Sequence, residues 1–323
     1  MIISLILLIV GFVLLIKGAD LFVDGASSTA SNLKVPKILI GLTIVAFGTS
    51  APEFAVSMQA LASHSTDMVL GNVIGSCILN ILLILGIAAI IMPIKIKNDT
   101  VKKELPIALL ISTLLAVLML DIKLNNSTIN QITRSDAIVI LLFFSIFLYY
   151  LINLAKKKDL DEKKEQKELI EKPKHSMIKS LLFVGLGLAG IIIGSDFVVH
   201  NAINIAETIG ISERVISLTI IALGTSLPEL VTTIVSAGKG EQDLLLGNII
   251  GSNIFNICVV LGVPVTIFGT ITPKSFTTLD ILALVGSAII LFIFALTKKT
   301  ITRLEGLLMF IAFLVYYVLV FFV

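Results

Sequence analysis

The stretch LTIVAFGTSAPE, Leu42 to Glu53, returns as LTIIALGTSLPE at Leu218 to Glu229, with 9 of the 12 paired positions identical. A second pair lies at the same displacement. GNVIGSCILNI, Gly71 to Ile81, matches GNIIGSNIFNI, Gly247 to Ile257, at 8 of 11 positions. All matches are displaced by 176 residues without a gap, the mark of an internal duplication. Each copy sets one carboxylate, Glu53 or Glu229, beside a proline inside an apolar segment. A charge in such a place is costly and points to function.

Composition sets the solvent. Apolar residues make up 57% of the chain, mean hydropathy is +1.07 and 14% of residues are charged, against about 25% in soluble domains. Many apolar runs approach the roughly 20 residues that cross a bilayer core. They are continuous, unlike the short alternating strands of a membrane barrel. The expected fold is all-α and integral to the membrane, with ten spans: about 2–29, 36–62, 68–91, 105–120, 132–154, 177–206, 215–237, 244–268, 278–296 and 306–322. The N-terminal segment MIISLILLIVGFVLLIKGAD lacks a basic leader and reads as a retained first span. Residues 1–154 form a first five-helix repeat, 155–176 a charged linker (AKKKDLDEKKEQKELIEKPKHS), and 177–323 a second five-helix repeat.

Lysines and arginines orient the chain. Connections after odd-numbered spans, the linker among them, carry 19; connections after even-numbered spans carry four, Lys123, Arg134, Arg214 and Lys274. The positive-inside rule makes the odd connections and the linker cytoplasmic and leaves both termini outside. Five spans is an odd number, so the second repeat enters from the opposite side and the two repeats are inverted. Inverted repeats typify secondary transporters that bind substrate near the midplane, where the two motif stretches are expected to meet.

In Gly48-Thr49-Ser50-Ala51-Pro52-Glu53, Pro52 lacks an N–H and its ring clashes with the Gly48 carbonyl, so the helix should break. The expectation is that carbonyls from Ala46 to Thr49 lose helical partners and face a cavity, the only lipid-depth setting that tolerates them. Gly224, Thr225, Ser226, Pro228 and Glu229 repeat the arrangement. In the second motif Asn72, Ser76 and Asn80 are four apart and form one polar stripe, as do Asn248, Ser252 and Asn256. Gly71/Gly75 and Gly247/Gly251 are small-residue pairs that suit close helix approach. All these donors are oxygen. Hard oxygens with two carboxylates suit Ca²⁺, less so Mg²⁺, which sheds water reluctantly; hydroxyls and carbonyls suit Na⁺. Each motif part also has a structural reading: a proline kink can be only a kink, and an asparagine can simply bond across helices. The recurrence of an intramembrane glutamate in both copies is what singles out a site. Asp20, Asp196, His64 and His200 read as interfacial or loop residues, and Cys77 and Cys258 as buried small hydrophobes.

At these residues the chain resembles the sodium/calcium exchanger family, over essentially its whole length. The resemblance implies Glu53 and Glu229 as the main Ca²⁺ ligands, assisted by Thr49 and Thr225. It implies Na⁺ sites at Ser50, Ser226, Ser76, Ser252, the carbonyls of Ala46 and Ala222, and the same glutamates, with Asn80 and Asn256 completing the centre. The potassium-dependent branch is usually acidic where this chain has Asn256, which argues against potassium co-transport. The short linker leaves no room for large regulatory domains. The implied function is Na⁺/Ca²⁺ antiport by alternating access, with electrogenic Ca²⁺ export; a proton- or potassium-coupled divalent-cation exchanger on the same site is the alternative. An enzyme has no supporting constellation, and a channel would conduct without a counter-ion. No cofactor, nucleic acid or obligate protein partner is expected; the partners are Na⁺ and Ca²⁺ as substrates and the lipid bilayer.

Overall fold

The computed structural model describes residues 2–161, 173–210, 222–272 and 278–322. Arg214, Lys274, most of the linker and the start of the second motif, Leu218 to Ile221, lie outside the described residues. The helices are α1 (Ile2–Leu33), α2 (Lys37–Thr49), α3 (Ala51–Ala62), α4 (Thr66–Ile91), α5 (Leu105–Leu118), α6 (Arg134–Asp161), α7 (Met177–Thr208), α8 (Leu227–Gly238), α9 (Gln242–Phe268), α10 (Thr278–Lys298) and α11 (Arg303–Phe322). Each expected span is helical over its described residues apart from residues at the ends and two interior breaks, at Ser50 and at Thr225–Ser226. Among the described residues, seven helices are long and apolar enough to cross a membrane, and the bent pair α2–α3 makes eight. The chain is an all-α, multi-pass membrane protein. Its outer helix faces are inverted relative to a soluble protein: Ile2, Ile3, Leu142, Ile146, Leu186 and Leu304 are exposed where lipid tails are the solvent.

Two compact units emerge. The first comprises residues 1–52 and 155–248. Its frame is the pair α1 and α7, each 32 residues and so about 48 Å long, well beyond the ~30 Å hydrocarbon core. Gly11, Gly18 and Gly25 recur every seven residues on α1 and face Gly194, Gly187 and Ser180 of α7, also seven apart. As one number rises the other falls, so these first spans of the two copies run antiparallel. The seam is backbone on backbone. A Cβ on Gly18 would lie 2.7 Å from Ile191 N, and one on Gly187 would lie 2.5 Å from Phe22 N. Phe22, Leu15, Ala19, Val23, Ala26 and Ile191 form the buried core beside it. Along the C-terminal half of α1, Lys239 Nζ bonds Asp20 Oδ1 (2.7 Å) and Asp24 Oδ2 (3.0 Å), and Glu241 receives Lys37 Nζ (2.9 Å) and Ser27 Oγ (2.8 Å). Asp20 is therefore ion-paired, not merely solvated at an interface as expected. Asp196 and His200 are exposed, and His64 sits in a loop at φ 61°.

The second unit comprises residues 53–154 and 249–323. Its loops are clasped in two places. β1 (Ile94–Lys95) pairs antiparallel with β2 (Thr300–Ile301), joining Ile94 to Ile301, and an isolated bridge joins Ile132 to Ile271. In each case the connection after the third span of one copy meets the connection after the fourth span of the other, isoleucine to isoleucine, with all four side chains at 0% exposure. The helices that follow start alike. Thr133 donates its N–H and hydroxyl to Asp136 Oδ2, and Thr302 donates the same pair to Glu305 Oε2, reciprocal caps for α6 and α11. Arg134 and Arg303 reach the carbonyls of Ile267 and Ile91, near the C-termini of α9 and α4, where the helix dipole favours a cation.

Replacing Gly18 or Gly187 by Ala forces backbone apart in the α1–α7 seam. Overpacking of this kind costs about 1–3 kcal/mol. Detergent thermal melts should show a clear loss for both variants and almost none for Gly185→Ala, where a Cβ meets nothing within 4 Å.

Candidate functional site

The helix break falls at the serine, not at the proline. Ser50 has φ −86°, ψ 7° and Ser226 has φ −90°, ψ 5°, the same turn in both copies. Behind each serine a new helix begins with proline in its first turn, where a missing N–H costs nothing. In the first copy the axis bends by 46°. The break therefore puts Glu53 in the first turn of α3 and Glu229 in the first turn of α8. The positive end of each helix dipole lies beside its carboxylate and lowers the cost of the buried charge. Glu53 is 1% exposed and Glu229 0%.

One expectation needs correction. The Ala46 carbonyl is not released by the break: Ser50 N–H still donates to it at 3.0 Å, and Thr49 Oγ1 lies 3.4 Å away. The turn at Ser50 keeps one helical hydrogen bond, so at Ala46 a cation could use only the carbonyl's remaining capacity.

In the first unit the motif residues of both copies touch. Ser50 Oγ donates to Glu229 Oε1 at 2.9 Å, so the serine of one GTS-x-PE stretch contacts the glutamate of the other. Thr49 Oγ1 donates to Asn248 Oδ1 (3.1 Å), and Asn248 Nδ2 donates to Thr233 Oγ1 (3.3 Å). Thr49, Ser50, Ser226, Asn248 and Thr233 are all buried, and Thr225 is half-buried. Ala222 opens the short turn Ala222–Gly224, whose Gly224 carbonyl accepts from Ser195 Oγ of α7 at 3.1 Å. Thr232 Oγ1 is buried without a hydrogen-bond partner among the described residues.

In the second unit Asn72 Nδ2 donates to the Glu53 carbonyl and to Ser57 Oγ, both at 2.9 Å. Ser57 and Thr233 are equivalent positions, so each copy ties its motif-two asparagine to the helix that carries its glutamate. Asn72 and Asn248 thus bond across helices, as their structural reading allowed. Ser76, Asn80, Ser252 and Asn256 are all buried, each at 4% exposure or less. Ser252 Oγ, Asn80 Oδ1 and both amide atoms of Asn256 have no partner among the described residues. Orphaned buried oxygens are rare and costly unless a ligand uses them. From Leu79 to Leu85 and from Asn256 to Leu261 both copies widen into π-helix, a bulge often found at functional sites. The close-approach role expected of the motif glycines holds at Gly247, where a Cβ would lie 2.6 Å from Ile38 O, but not at Gly75, where it would meet nothing within 4 Å.

Sequence reading missed Ser57, Thr232, Thr233 and Asn253. The first three follow the glutamates at helical spacing on α3 and α8, which was the available signal. Cys77 and Cys258 are buried as expected.

Comparison with known proteins accords with this geometry. The sodium/calcium exchanger protein family matches residues 3–153 and 179–322. The chain belongs to the sodium/calcium exchanger family. It is 38% identical to a putative antiporter, CaxA, of Alkalimonas amylolytica, over 99% of each chain. It is 33% identical to the sodium/calcium exchanger MaX1 of Methanosarcina acetivorans, again over 99% of each. The solved structure of the sodium-calcium exchanger NCX_Mj superposes with a TM-score of 0.82 at 31% identity, covering 98% of this chain and 97% of that one. These relatives are transporters, and membership places this chain among cation/calcium antiporters.

Asn72→Ala and Asn248→Ala each leave buried polar groups unpaired, a loss of about 1–3 kcal/mol. Thermal melts should show a drop for each, because each asparagine ties its helix to the one carrying its glutamate; a drop confined to one would contradict that shared role.

Proposed function

We propose that this protein exchanges Na⁺ for Ca²⁺ across the membrane by alternating access, with Glu53 and Glu229 as the central ligands. The observation that carries the reading is the pair of buried first-turn glutamates, Glu53 at 1% and Glu229 at 0% exposure, the latter accepting from Ser50 Oγ. Oxygen-only donors with two carboxylates match Ca²⁺, which takes 6–8 oxygens in flexible geometry. Thr49 and Thr225 assist Ca²⁺. Ser50, Ser226, Ser76, Ser252 and the carbonyls of Ala46 and Ala222 serve Na⁺, and Asn80 and Asn256 complete the centre. The orphaned oxygens of Ser252, Asn80 and Asn256 support this set.

Charge explains obligate exchange. One Ca²⁺, or Na⁺ ions in its place, neutralises the two carboxylates and lets the loaded site pass through a dry state. The empty site keeps its charge and is held back by desolvation cost. If more than two Na⁺ exchange per Ca²⁺, each cycle moves net charge, worth about 2.3 kcal/mol per charge per 100 mV, and inward Na⁺ drives Ca²⁺ export. The repeats are 1–154 and 177–323, inverted, with the linker 155–176 cytoplasmic and the termini outside. The tight glycine seam supports α1 and α7 moving together as one body.

Proteoliposomes loaded with Na⁺ and diluted into Na⁺-free, K⁺-free buffer without a pH gradient should take up Ca²⁺. Internal choline should abolish the uptake. Glu53→Gln and Glu229→Gln should each reduce it at least a hundredfold, the scale of losing about 3 kcal/mol of ligand interaction, while the protein still elutes as a folded monodisperse species. Wild-type uptake by either variant would remove that glutamate from the site. Uptake that appears only with a proton or potassium gradient would replace the coupling ion.

A further inference from the structure

Cys77 and Asn253 occupy the same slot of the duplicated motif, GSC in one copy and GSN in the other. They meet. Asn253 Nδ2 donates to the Cys77 carbonyl at 3.1 Å, and Cys77 Sγ donates to the Asn253 carbonyl at 3.7 Å. Asn253 Oδ1 in turn accepts from Asn80 Nδ2 at 3.0 Å. Asn253 is 3% exposed, and Asn80 and Cys77 are 0%.

This chain of bonds has a direction. A backbone carbonyl only accepts, so the amide edge that Asn253 turns to Cys77 must be its NH₂. Its oxygen then faces Asn80, and Asn80 must offer its own NH₂. The Asn80 oxygen is left pointing away, buried and with no partner among the described residues. The second copy lacks this chain. Asn256 is the equivalent of Asn80, and the residue that would orient it is Cys77, whose thiol is turned to the Asn253 carbonyl. Accordingly both amide atoms of Asn256 are unpartnered among the described residues.

We infer that Asn253 is a positioning residue that locks Asn80 as an oxygen ligand, and that the Cys77/Asn253 difference makes the two asparagines of the site unequal. Asn80 is preset to accept a cation. Asn256 is free to turn its amide with the ion or water beside it. The inference rests on the proposal that Asn80 belongs to the cation site.

The test uses the purified full-length chain. Ca²⁺- and Na⁺-dependent thermal stabilisation in detergent gives apparent affinities, and proteoliposome uptake gives the half-saturating Ca²⁺ concentration and the maximal rate. Removing the partner that orients a ligand costs roughly 10–100-fold in metal affinity. Asn253→Cys should raise the half-saturating Ca²⁺ concentration by that factor with the maximal rate little changed. The double-mutant cycle decides. If Asn253 acts through Asn80, adding Asn253→Cys to Asn80→Ala should cost nothing further. The exchange Cys77→Asn with Asn253→Cys moves the tie to Asn256 at unchanged composition and should recover most of the affinity, which also covers the case in which Asn253→Cys alone folds poorly.

Unchanged affinity in Asn253→Cys, additive losses with Asn80→Ala, or a fall in maximal rate and melting temperature at constant affinity would each overturn the inference. Wild-type protein that is stabilised by Ca²⁺ yet does not exchange it for Na⁺ would sink the coupling proposal alone and leave the binding test of Asn253 in force. Wild-type protein stabilised by neither cation would overturn both.

Discussion

A carboxylate at 1% or 0% exposure in a membrane protein is the constraint from which the rest of this structure follows. Water cannot solvate it, so the fold must. The turn at Ser50 and Ser226 starts a fresh helix under each glutamate, and the helix dipole supplies part of what water would. Ser50 adds a hydroxyl hydrogen to Glu229, and Asn72 pins the backbone of Glu53. In the proposed reading a transported cation supplies positive charge there, so an arrangement that is costly for stability would serve transport.

The duplication governs more than the motifs. Glycines at heptad spacing, the two isoleucine clasps, the Thr-to-acid caps of α6 and α11 and the arginines at the ends of α4 and α9 all come in pairs. Departures from the pairing are few, and they stand out against it. Lys239, with Asp20 and Asp24, has no counterpart, because Ser63 takes the equivalent position. Cys77 faces Asn253 rather than a second asparagine. In a duplicated fold such differences are where one half acquires properties the other lacks.

Much of this was legible in the sequence, because apolar runs and exact repetition are strong signals. The spans, the two motifs and the burial of both glutamates are read directly from LTIVAFGTSAPE and its echo. The details of the break were not. A proline inside an apolar run suggests a kink at the proline, whereas here the chain turns two residues earlier and uses Pro52 to open the next helix. The π-helical stretches leave no mark in hydropathy, since one extra residue per turn is invisible among leucines and isoleucines. Asn253 leaves no mark in the repetition for a related reason: it stands where the two copies differ. The partner of Asp20 lies 219 residues away, beyond the reach of any local pattern.

The two clasps carry a consequence for how such a chain can vary. Each joins connections of different copies by backbone hydrogen bonds at fixed residues, Ile94 to Ile301 and Ile132 to Ile271. Side chains around them are free to drift as long as an apolar residue fills each bridge, but the number of residues between a clasp and its helix is not. Length is the constrained quantity in those four connections. Insertions, tags and grafted domains therefore belong elsewhere, and the stretch between the two repeats is the place where the chain can grow without pulling a clasp out of register.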